Sequence, residues 1–350
     1  MRIEIFSEFS DLKDSWNDIV LEAKYPEVSL TFEWNYAIAM ANNLKNSVKI
    51  IVLYDNDEIV GICPIFVSKT KRHHVPSTQI GPVTNIFSAH NNLICSINKL
   101  DFLNILLKYF QSNINNWTYF SITGITESSS LLSTLKKLNK YQKYPIKVEP
   151  NDCSPFLPIE RAWDEFMKGK SSNFRQQLKR KQNRIYKSGD IVLRKFEKLD
   201  DVNLLWEAVK KIEKNSWKAE NGSAIINSQN QINFYKKLLE LSAEQGWLFC
   251  HILYIDKTPI AHDLGLLFSN KYYQLKNSFD KRYQEFSPGI VLRSIIMKLL
   301  FEMNVSECDF MWGEDSWKKL WTQNVRHHHN IIIYNYLPFK SKILRIFDNI

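Results

Sequence analysis

The chain has 350 residues, a formal net charge of +9 and a hydrophobic fraction of 44%. These values are typical of a folded protein of two domains and exclude a disordered chain. The five cysteines are scattered, odd in number and without a Cys-x-x-Cys pair, which favours reduced thiols in a cytoplasmic protein. We expect neither a secretory signal peptide nor a transmembrane helix, because the N-terminus lacks an apolar core and no apolar run approaches the ~20 residues that cross a bilayer.

The first half of the chain alternates predicted strands and helices and ends at a proline-rich segment. Its predicted order is strand Ile3–Phe6, helix Asp11–Ala23, helix Glu33–Leu44, strand Val48–Tyr54, strand Ile59–Val67, a loop Ser68–Ala89 that contains Gly81-Pro82, strand Asn92–Cys95, helix Leu100–Asn113, strand Thr118–Thr123, helix Ser129–Asn139 and strand Ile146–Glu149. Three prolines in Pro150–Pro158 then predict a boundary, so we assign residues 1–155 to a first domain.

The second half repeats this order of elements after an additional basic helix. Its predicted order is helix Ala162–Met167, helix Asn173–Lys187, strand Ile191–Phe196, helix Val202–Trp217, helix Gln231–Gln245, strands Trp247–Ile255, Pro259–Phe268 and Tyr272–Phe279, helix Gly289–Met303, strand Cys308–Trp312, a short helix near Ser316–Thr322 and strand Asn330–Tyr336. We assign residues 156–336 to a second domain. Residues 337–350 form a basic amphipathic tail, which either packs as a terminal helix or makes a weak contact with a membrane surface.

Three strands and a helix start make the segment after Gly246 the most informative part of the sequence. The strands are separated by Asp256-Lys257 and Ser269-Asn270, which predicts an antiparallel meander. In Ser287-Pro288-Gly289, serine suits the N-cap, proline the first helical position, and glycine a close approach of ligand to backbone. A helix N-terminus after a splayed loop is suited to an anion, through unpaired amides and the helix dipole. The alternative is a well-capped core helix without a ligand.

The basic helix carries almost the whole excess charge. Residues 166–189 hold eight basic side chains and no acidic one. Asn173 and Gln176 have the spacing of a capping box, which predicts that the helix starts there. Such a run is commonly a solvated face, but the absence of any acid favours a local anion-binding element over a generic DNA-binding surface.

The order of elements and four short motifs resemble the acetyltransferase fold of the GNAT superfamily, in its FemAB-like branch. Within that branch they are most similar to the CelD-like, or cellulose-biosynthesis, acetyltransferases. The motifs are Ser172-Asn173-Phe174-Arg175 with Arg180 and Lys181, Pro259-Ile260-Ala261, Phe279-Asp280 with Ser287-Pro288-Gly289, and Asp309-Phe310-Met311-Trp312-Gly313-Glu314 with Trp317-Lys318. The resemblance implies an α/β fold of two tandem GNAT-like domains, with mixed, mostly antiparallel sheets flanked by helices.

The resemblance also implies a set of catalytic residues. Lys318 is expected to project into the active-site channel and to stabilise the oxyanion that forms when an amine attacks an ester or thioester carbonyl. Glu314 or Asp315 is expected to receive the proton of the amine, and Asp280 lies beside the same site. From the residues alone, a surface lysine beside Lys319 is the preferred interpretation of Lys318, and Asp280 is equally consistent with a cap of the turn.

Two further groups of residues are expected to bind ligands. Arg175, Lys179 and Arg180 match the region that holds a phosphate-bearing substrate, and the arginine fork suits two phosphate oxygens. Tyr273 and Trp317 are expected to contact substrate. Ser287, Gly289 and Ile290 are expected to hold the acyl donor at the helix N-terminus.

The donor itself stays open, because the glycine-rich loop Q/R-x-x-G-x-G/A of typical acetyltransferases is reduced to Gly289 here. The favoured hypothesis is a cytoplasmic acyltransferase of polysaccharide biosynthesis that uses acyl-CoA or an acyl carrier protein. It would transfer the acyl group to an amine or hydroxyl of a sugar, nucleotide-sugar or envelope precursor. The second hypothesis is aminoacyl transfer from tRNA, as in several FemAB-like enzymes. The third is a non-catalytic RNA- or membrane-binding module in which Lys318 has no role.

No metal is predicted. The triplet His327-His328-His329 precedes a strand-like run, in which only the first and third histidines share a face. No further ligand stands at the spacing of a zinc motif. His262 is expected to be a core or site-lining residue.

Overall fold

A computed structural model describes residues 1–44, 47–84, 88–138 and 144–350 of the chain. The chain divides into two compact units, residues 1–154 with 326–350, and residues 155–325. The first division lies one residue from the predicted one at residue 155. The second lies after residue 325 rather than 336, because the strand Val325–Tyr334 pairs antiparallel with Tyr119–Thr126. Residues 326–336 therefore belong with the first unit.

The first unit is a mixed sheet with helices. Its elements are β1 (Arg2–Phe6), α1 (Lys13–Glu22), α2 (Phe32–Ala41), β2 (Lys49–Asp55), β3 (Glu58–Arg72), β4 (Val75–Pro82), β5 (Ile94–Cys95), α3 (Lys99–Asn113), β6 (Tyr119–Thr126), α4 (Ser130–Leu138), the first part of β7 (Ile146–Pro158), β13 (Val325–Tyr334) and α11 (Phe339–Phe347). Strands β1 to β4 are antiparallel neighbours, β4 pairs parallel with β6, and β6 pairs antiparallel with β13. The core lies between the sheet and α3, whose Phe102, Leu106 and Phe110 are fully buried.

One prediction for this unit is wrong. The predicted loop Ser68–Ala89 is largely the hairpin of β3 and β4, although residues 85–87 lie outside the described residues. The predicted boundary segment Pro150–Pro158 forms the second half of β7, and the two units divide inside it, after Ser154. Prolines are tolerated there because the strand uses their carbonyls: Phe310 donates its amide to the carbonyl of Pro155 at 3.0 Å. The predicted helix end at Asn139 also lies outside the described residues.

The second unit has the same arrangement of strands. Its elements are the end of β7, α5 (Trp163–Lys168), α6 (Ser172–Tyr186), β8 (Ile191–Phe196), α7 (Val202–Lys214), α8 (Trp217–Glu220), α9 (Gln229–Glu244), β9 (Cys250–Ile255), β10 (Thr258–Phe268), β11 (Lys271–Phe279), α10 (Pro288–Glu302) and β12 (Glu307–Asp309). Strands β8 to β11 are antiparallel neighbours, β11 pairs parallel with β12, and β12 pairs antiparallel with β7. Both units therefore place four antiparallel strands beside a parallel fifth, which confirms the predicted mixed α/β fold class.

The predicted meander and its turns are confirmed. Asp256-Lys257 connects β9 to β10 and Ser269-Asn270 connects β10 to β11. All four turn residues have positive φ, between 46° and 68°. This backbone matches the twist of the flanking strands in two-residue hairpins.

The caps of two helices differ from the prediction. The side chain of Ser171, not Asn173, caps α6 by accepting the amide of Phe174 at 3.2 Å. Ser287 precedes α10 as predicted, but its side chain makes no capping hydrogen bond, because its backbone is left-handed with φ 51°. Pro288 occupies the first turn of α10 as expected.

The tail forms α11, which is amphipathic in the structure. Leu344 is buried against Tyr119 and Tyr334 of the first unit, whereas Phe339 and Ile346 are each 75% exposed. Asp348, at the end of the helix, accepts hydrogen bonds from Arg72, Lys147 and His73 and from Tyr334. The predicted packing as a terminal helix is thus the arrangement observed. No helix in the described part of the chain is long and apolar enough to span a membrane.

Candidate functional site

A cavity of about 270 Å³ lies in the second unit, at the end of β11 and the first turns of α10. Its wall also includes α8 and the segment that follows β12. The lining residues are Trp217, Lys218, Asn277, Ser278, Phe279, Gly289, Ile290, Arg293, Asp315, Trp317, Leu320 and Trp321. Aromatic side chains and two cations therefore dominate the wall.

The parting of two parallel strands opens this space. β11 and β12 are paired from Lys271 to Tyr273, opposite Glu307 to Asp309. β11 continues to Phe279 without this neighbour, and the cavity lies at that end. The sequence predicts such a splayed site before the helix start at Ser287.

A short 3-10 helix, Lys281–Phe286, carries the chain from β11 to α10. Asp280 caps it by accepting the amide of Arg282 at 3.0 Å and also pairs with the Arg282 guanidinium. Its carboxylate accepts a further hydrogen bond of 3.3 Å from Asn215. Asp280 is buried and is not part of the cavity wall, so its contacts are those of the turn cap that the sequence left as the alternative.

Four of the predicted site residues meet at the cavity. Gly289 and Ile290 come from the start of α10, and Asp315 and Trp317 from the segment after β12. A Cβ atom added at Gly289 would lie 3.3 Å from Phe279, so glycine keeps this wall open. The Asp315 side chain is 62% exposed, which places its carboxylate at the solvent side of the cavity.

Lys318 lies beneath the cavity rather than in its wall. Its side chain is 4% exposed, and the ammonium donates to the carbonyl oxygens of Trp312, Gly313 (2.9 Å) and Met311 (3.5 Å). Asp315 is 3.7 Å from the same nitrogen. Lys318 is thus buried, contrary to the surface-lysine alternative, and holds the segment that carries Asp315 and Trp317.

The remaining predicted residues lie outside the cavity wall. Glu314 is exposed and pairs with Lys319 at 2.8 Å. Tyr273 is fully buried in β11. Ser287 precedes the first turn of α10 but is not a lining residue.

The basic side chains of α6 face solvent. Arg175, Lys179 and Arg180 are exposed and do not line the cavity. The helix itself is anchored close by, since the ring of Phe174 packs edge-on against Trp321 with centroids 5.5 Å apart. Arg184 donates to the carbonyl of Glu285 at 3.0 Å, which fixes the helix beside the start of α10.

Sequence reasoning did not assign eight residues of the wall to the site: Trp217, Lys218, Asn277, Ser278, Phe279, Arg293, Leu320 and Trp321. Trp217-Lys218 follows Ser216, whose side chain caps α8, and Ser278 is the last residue but one of a recognised strand. The sequence does contain a signal for Arg293, since it is a charged residue inside the apolar helix pattern of α10. An arginine there requires either a buried partner or a ligand.

The two cations in the wall differ in environment, since Arg293 is buried and Lys218 is half-buried. Lys218 donates to the carbonyl of Asn277 at 2.6 Å, and burial lowers the pKa of its ammonium to about 8. Arg293 is ion-paired with Asp263 of β10, and burial lowers the pKa of its guanidinium to about 10. Both side chains therefore carry positive charge at neutral pH.

No three His, Cys, Asp or Glu side chains are grouped to hold a metal ion within the residues that the structure describes. His328 is buried, 2.9 Å from the Ser154 hydroxyl and 3.1 Å from the carbonyl of Gly124. His262 is buried, 3.2 Å from the carboxylate of Glu213, and does not line the cavity. Of the two predicted positions for His262, the core and the lining of the site, the structure has the core. All five cysteines lie in the described part of the chain, where they are buried and form no disulfide bond.

Comparison with known proteins supports this arrangement. Residues 172–319 match the family of acetyltransferase (GNAT) domains. The crystal structure of FemX is similar with a TM-score of 0.66 and 12% identity, over 99% of each chain. L-PGS from Bacillus licheniformis has a TM-score of 0.56 and 9% identity, over 95% of each chain.

A third similar structure is the C-terminal domain of a protein from Agrobacterium fabrum assigned as a lysylphosphatidylglycerol synthetase. Its TM-score is 0.55 and its identity 10%, over 97% of this chain and 96% of that one. At these identities the likeness concerns the fold. No curated protein sequence matches the chain. The narrower CelD-like assignment stays a prediction. The family match includes ten of the twelve lining residues: residues 172–319 are thus similar to a GNAT acetyltransferase domain, and the chain has the fold of FemX.

Proposed function

We propose that this acyltransferase moves an acyl group from a thioester donor, acyl-CoA or an acyl carrier protein, to an amine or hydroxyl of a sugar, nucleotide-sugar or envelope precursor. The acceptor attacks the carbonyl carbon, the thiolate leaves, and the acceptor loses one proton. The observation that carries the proposal is the cavity at the first turn of α10, because ten of its twelve lining residues lie within the residues that match the GNAT family.

The cavity wall suits a short acyl group. Trp217, Phe279, Trp317 and Trp321 surround it with apolar surface, which removes water from the reacting carbonyl. The Gly289 position leaves the backbone of α10 accessible, and the helix dipole favours negative charge at this end. The thioester would lie there with its carrier directed out of the cavity.

Charge stabilisation would come from the cations of the site. An oxyanion that develops in a water-poor cavity is stabilised most by fixed donors close to it. Lys218 and Arg293 are in the wall, and Lys318 is the family-based candidate. Asp315 is suited to take the proton of the acceptor through water, because its carboxylate lies at the solvent side of the same cavity. Glu314 is the second candidate for that role.

The basic face of α6 would hold the anionic part of the acceptor. Arg175, Lys179 and Arg180 are exposed on a helix whose Phe174 packs on the cavity residue Trp321. A phosphate bound by these side chains would lie outside the cavity while the nucleophile reaches into it. Arginine suits this role because its fork bonds two phosphate oxygens.

The test is a transfer assay that follows release of the free thiol. Purified protein is incubated with a panel of acyl-CoA species and amino sugars or nucleotide-sugars, and products are identified by mass. The proposal expects acceptor-dependent release of the thiol, and it expects Trp317→Ala to reduce the rate of release. The control is Lys210→Gln, a change at a residue outside the cavity wall, which should leave that rate unchanged. Absence of release from every acyl-CoA and acyl carrier protein contradicts it.

A second candidate is transfer of an aminoacyl group from tRNA to a peptide or lipid-linked acceptor. It is favoured by the reduced glycine loop and by the likeness in fold to FemX and to the lysylphosphatidylglycerol synthetase domain. Charged tRNA with phosphatidylglycerol or a peptidoglycan precursor replaces the thioester panel in the same assay. Consumption of the aminoacyl ester, without use of any thioester, would select this candidate.

A further inference from the structure

Arg293 carries hydrogen-bond donors that have no acceptor among the described residues. Its side chain is 2% exposed, and one terminal nitrogen is ion-paired with Asp263. The other terminal nitrogen, Nη1, and Nε are buried without a partner. Asp263 is itself held by the hydroxyl of Tyr272 and by the side-chain amide of Gln274, so the guanidinium has a fixed orientation.

The residue that carries these donors is part of the cavity wall. Its guanidinium carbon lies 5.7 Å from the ring centroid of Trp317, another wall residue. The hydroxyl of Ser278, a third wall residue, is buried and has no partner among the described residues. Since a buried polar group without a hydrogen-bond partner is destabilising, three such atoms on residues of one wall favour a ligand with acceptor oxygens.

Lys218 adds a second cation at the same wall. Its ammonium is held by the carbonyl of Asn277, the residue before Ser278. It lies 5.9 Å from the ring centroid of Trp217, which also lines the cavity. The two cations thus approach one space from α8 and from α10.

The balance of charge around the cavity favours a monoanion. Lys218 interacts electrostatically with Lys276 and Lys318 and with the carboxylates of Glu213 and Asp315. With the ion pair of Arg293 and Asp263, these groups comprise four cations and three carboxylates. One negative charge on a ligand neutralises this excess, whereas a doubly charged phosphate exceeds it.

We propose that the cavity binds a carboxylate group of the substrate, through the free edge of Arg293, the ammonium of Lys218 and the hydroxyl of Ser278. A planar carboxylate matches two adjacent N–H donors of a guanidinium. The inference rests on the proposed function and narrows it: the acyl group or the acceptor carries a carboxylate, as in an amino acid, a dicarboxylic acyl group or an acidic sugar.

The test measures binding without turnover. Isothermal titration calorimetry compares phenylacetate, its neutral isostere phenylacetamide, and phenyl phosphate, since an aromatic probe suits the aromatic walls. We expect phenylacetate to bind about tenfold or more tightly than either of the others. Equal binding of the amide overturns the proposal, and tighter binding of phenyl phosphate assigns the site to a phosphate of the carrier or acceptor instead.

Variants locate the binding. Lys218→Gln and Arg293→Lys are each expected to weaken phenylacetate binding by about tenfold or more, while phenylacetamide is unaffected. Arg293→Lys keeps a positive charge beside Asp263. If the Arg293→Lys protein does not fold, Lys218→Gln provides an independent variant. The matched controls are Lys210→Gln and Arg194→Gln, exposed cations that pair with Glu207 and Asp201. Unchanged affinity in Lys218→Gln also overturns the proposal.

The same measurements separate this inference from the proposed function. Selective binding of phenylacetate with no transfer from any thioester refutes the transfer reaction and leaves the carboxylate subsite. Thioester-dependent transfer with no preference for the carboxylate probe refutes the subsite and leaves the reaction.

Discussion

The ammonium of Lys318 donates a 2.9 Å hydrogen bond to the carbonyl oxygen of Gly313, five residues earlier in the chain. It also contacts the carbonyls of Met311 and Trp312, so one buried cation gathers three consecutive carbonyl groups. Met311 and Gly313 both have positive φ, which turns these carbonyls toward a common point. The segment that ends in Asp315 and Trp317 is thereby fixed against the cavity.

Lys318→Met is expected to lower both stability and transfer. Removing the ammonium leaves buried carbonyls unpaired, at a cost of roughly 1–3 kcal/mol in the free energy of unfolding. Urea denaturation and the transfer rate are measured together. Lys319→Met, a change of the exposed neighbour that pairs with Glu314, serves as the control. A loss of turnover with unchanged stability would instead assign Lys318 the oxyanion role that the family resemblance implies.

Affinity for phenylacetate is expected to fall as the pH rises through about 8. Burial lowers the pKa of Lys218 to about 8, so the cation that attracts the carboxylate is lost above that value. The decline approaches tenfold where the ammonium form governs binding. Titration calorimetry between pH 6.5 and 9.5 checks this. The prediction fails if the Lys218→Gln variant shows the same pH dependence as the unaltered protein.

Gly289→Ala is expected to reduce ligand binding without unfolding the second unit. The added methyl lies 3.3 Å from Phe279, so it narrows the cavity, while alanine is a better helix former than glycine by about 1 kcal/mol. Thermal unfolding and phenylacetate affinity are compared. Gly169→Ala is a matched control, because its added methyl would meet the Phe166 carbonyl at the same 3.3 Å, away from the cavity wall. Undiminished affinity in Gly289→Ala contradicts the assignment of this wall.

His251 is expected to make the protein acid-sensitive. Burial lowers its pKa from 6.5 to about 3, and both ring nitrogens are buried with no hydrogen-bond partner among the residues that the structure describes. Between pH 6.5 and about 3, His251 is therefore protonated in the unfolded chain and neutral in the folded chain. Stability falls by about 1.4 kcal/mol per pH unit as the pH drops from 6.5 toward 3. Urea unfolding of the unaltered protein and of His251→Phe at pH 7.5 and 5 measures this; equal slopes for the two proteins would refute the assignment.

Asp348→Asn is expected to release α11 from the first unit. Burial opposes ionisation of this carboxyl, but hydrogen bonds from Arg72, Lys147 and Tyr334 hold its pKa well below the ordinary value. Loss of the charge leaves the partly buried cations Arg72 and Lys147 with Glu149 as the remaining carboxylate, at a cost of roughly 1–3 kcal/mol. Limited proteolysis near residue 339 and urea unfolding report the change. Asp57→Asn, on a side chain that is 94% exposed, should have no effect.

The sequence predicts the order of elements well, because hairpin turns and helix patterns are local signals. Asp256-Lys257 and the Pro288 helix start are examples. It predicts only the first four residues of β7, since prolines at 150, 155 and 158 suggest a break, whereas the strand uses carbonyls that proline retains. Ser287 fails as a side-chain cap because its left-handed backbone, a consequence of the preceding 3-10 helix, directs the hydroxyl elsewhere.

The site follows the same division between local and distant contacts. Gly289, Ile290, Asp315 and Trp317 lie in recognised motifs and line the cavity. Lys218 and Arg293 both line the cavity because α8 and α10 flank the same end of β11. The two residues are far apart in the sequence, so no motif or spacing predicts that they lie at one site. The oxyanion, proton-transfer and phosphate-binding roles of Lys318, Glu314 and Arg175 stay predictions.

The first unit is assembled from both ends of the polypeptide, residues 1–154 and 326–350, with the second unit inserted between them. During synthesis on the ribosome, the edge of β6 therefore stays without its neighbour β13 until some two hundred further residues have been made. A nascent chain that pauses within the inserted unit exposes this strand edge, so a chaperone that covers hydrogen-bonding edges would act at that stage.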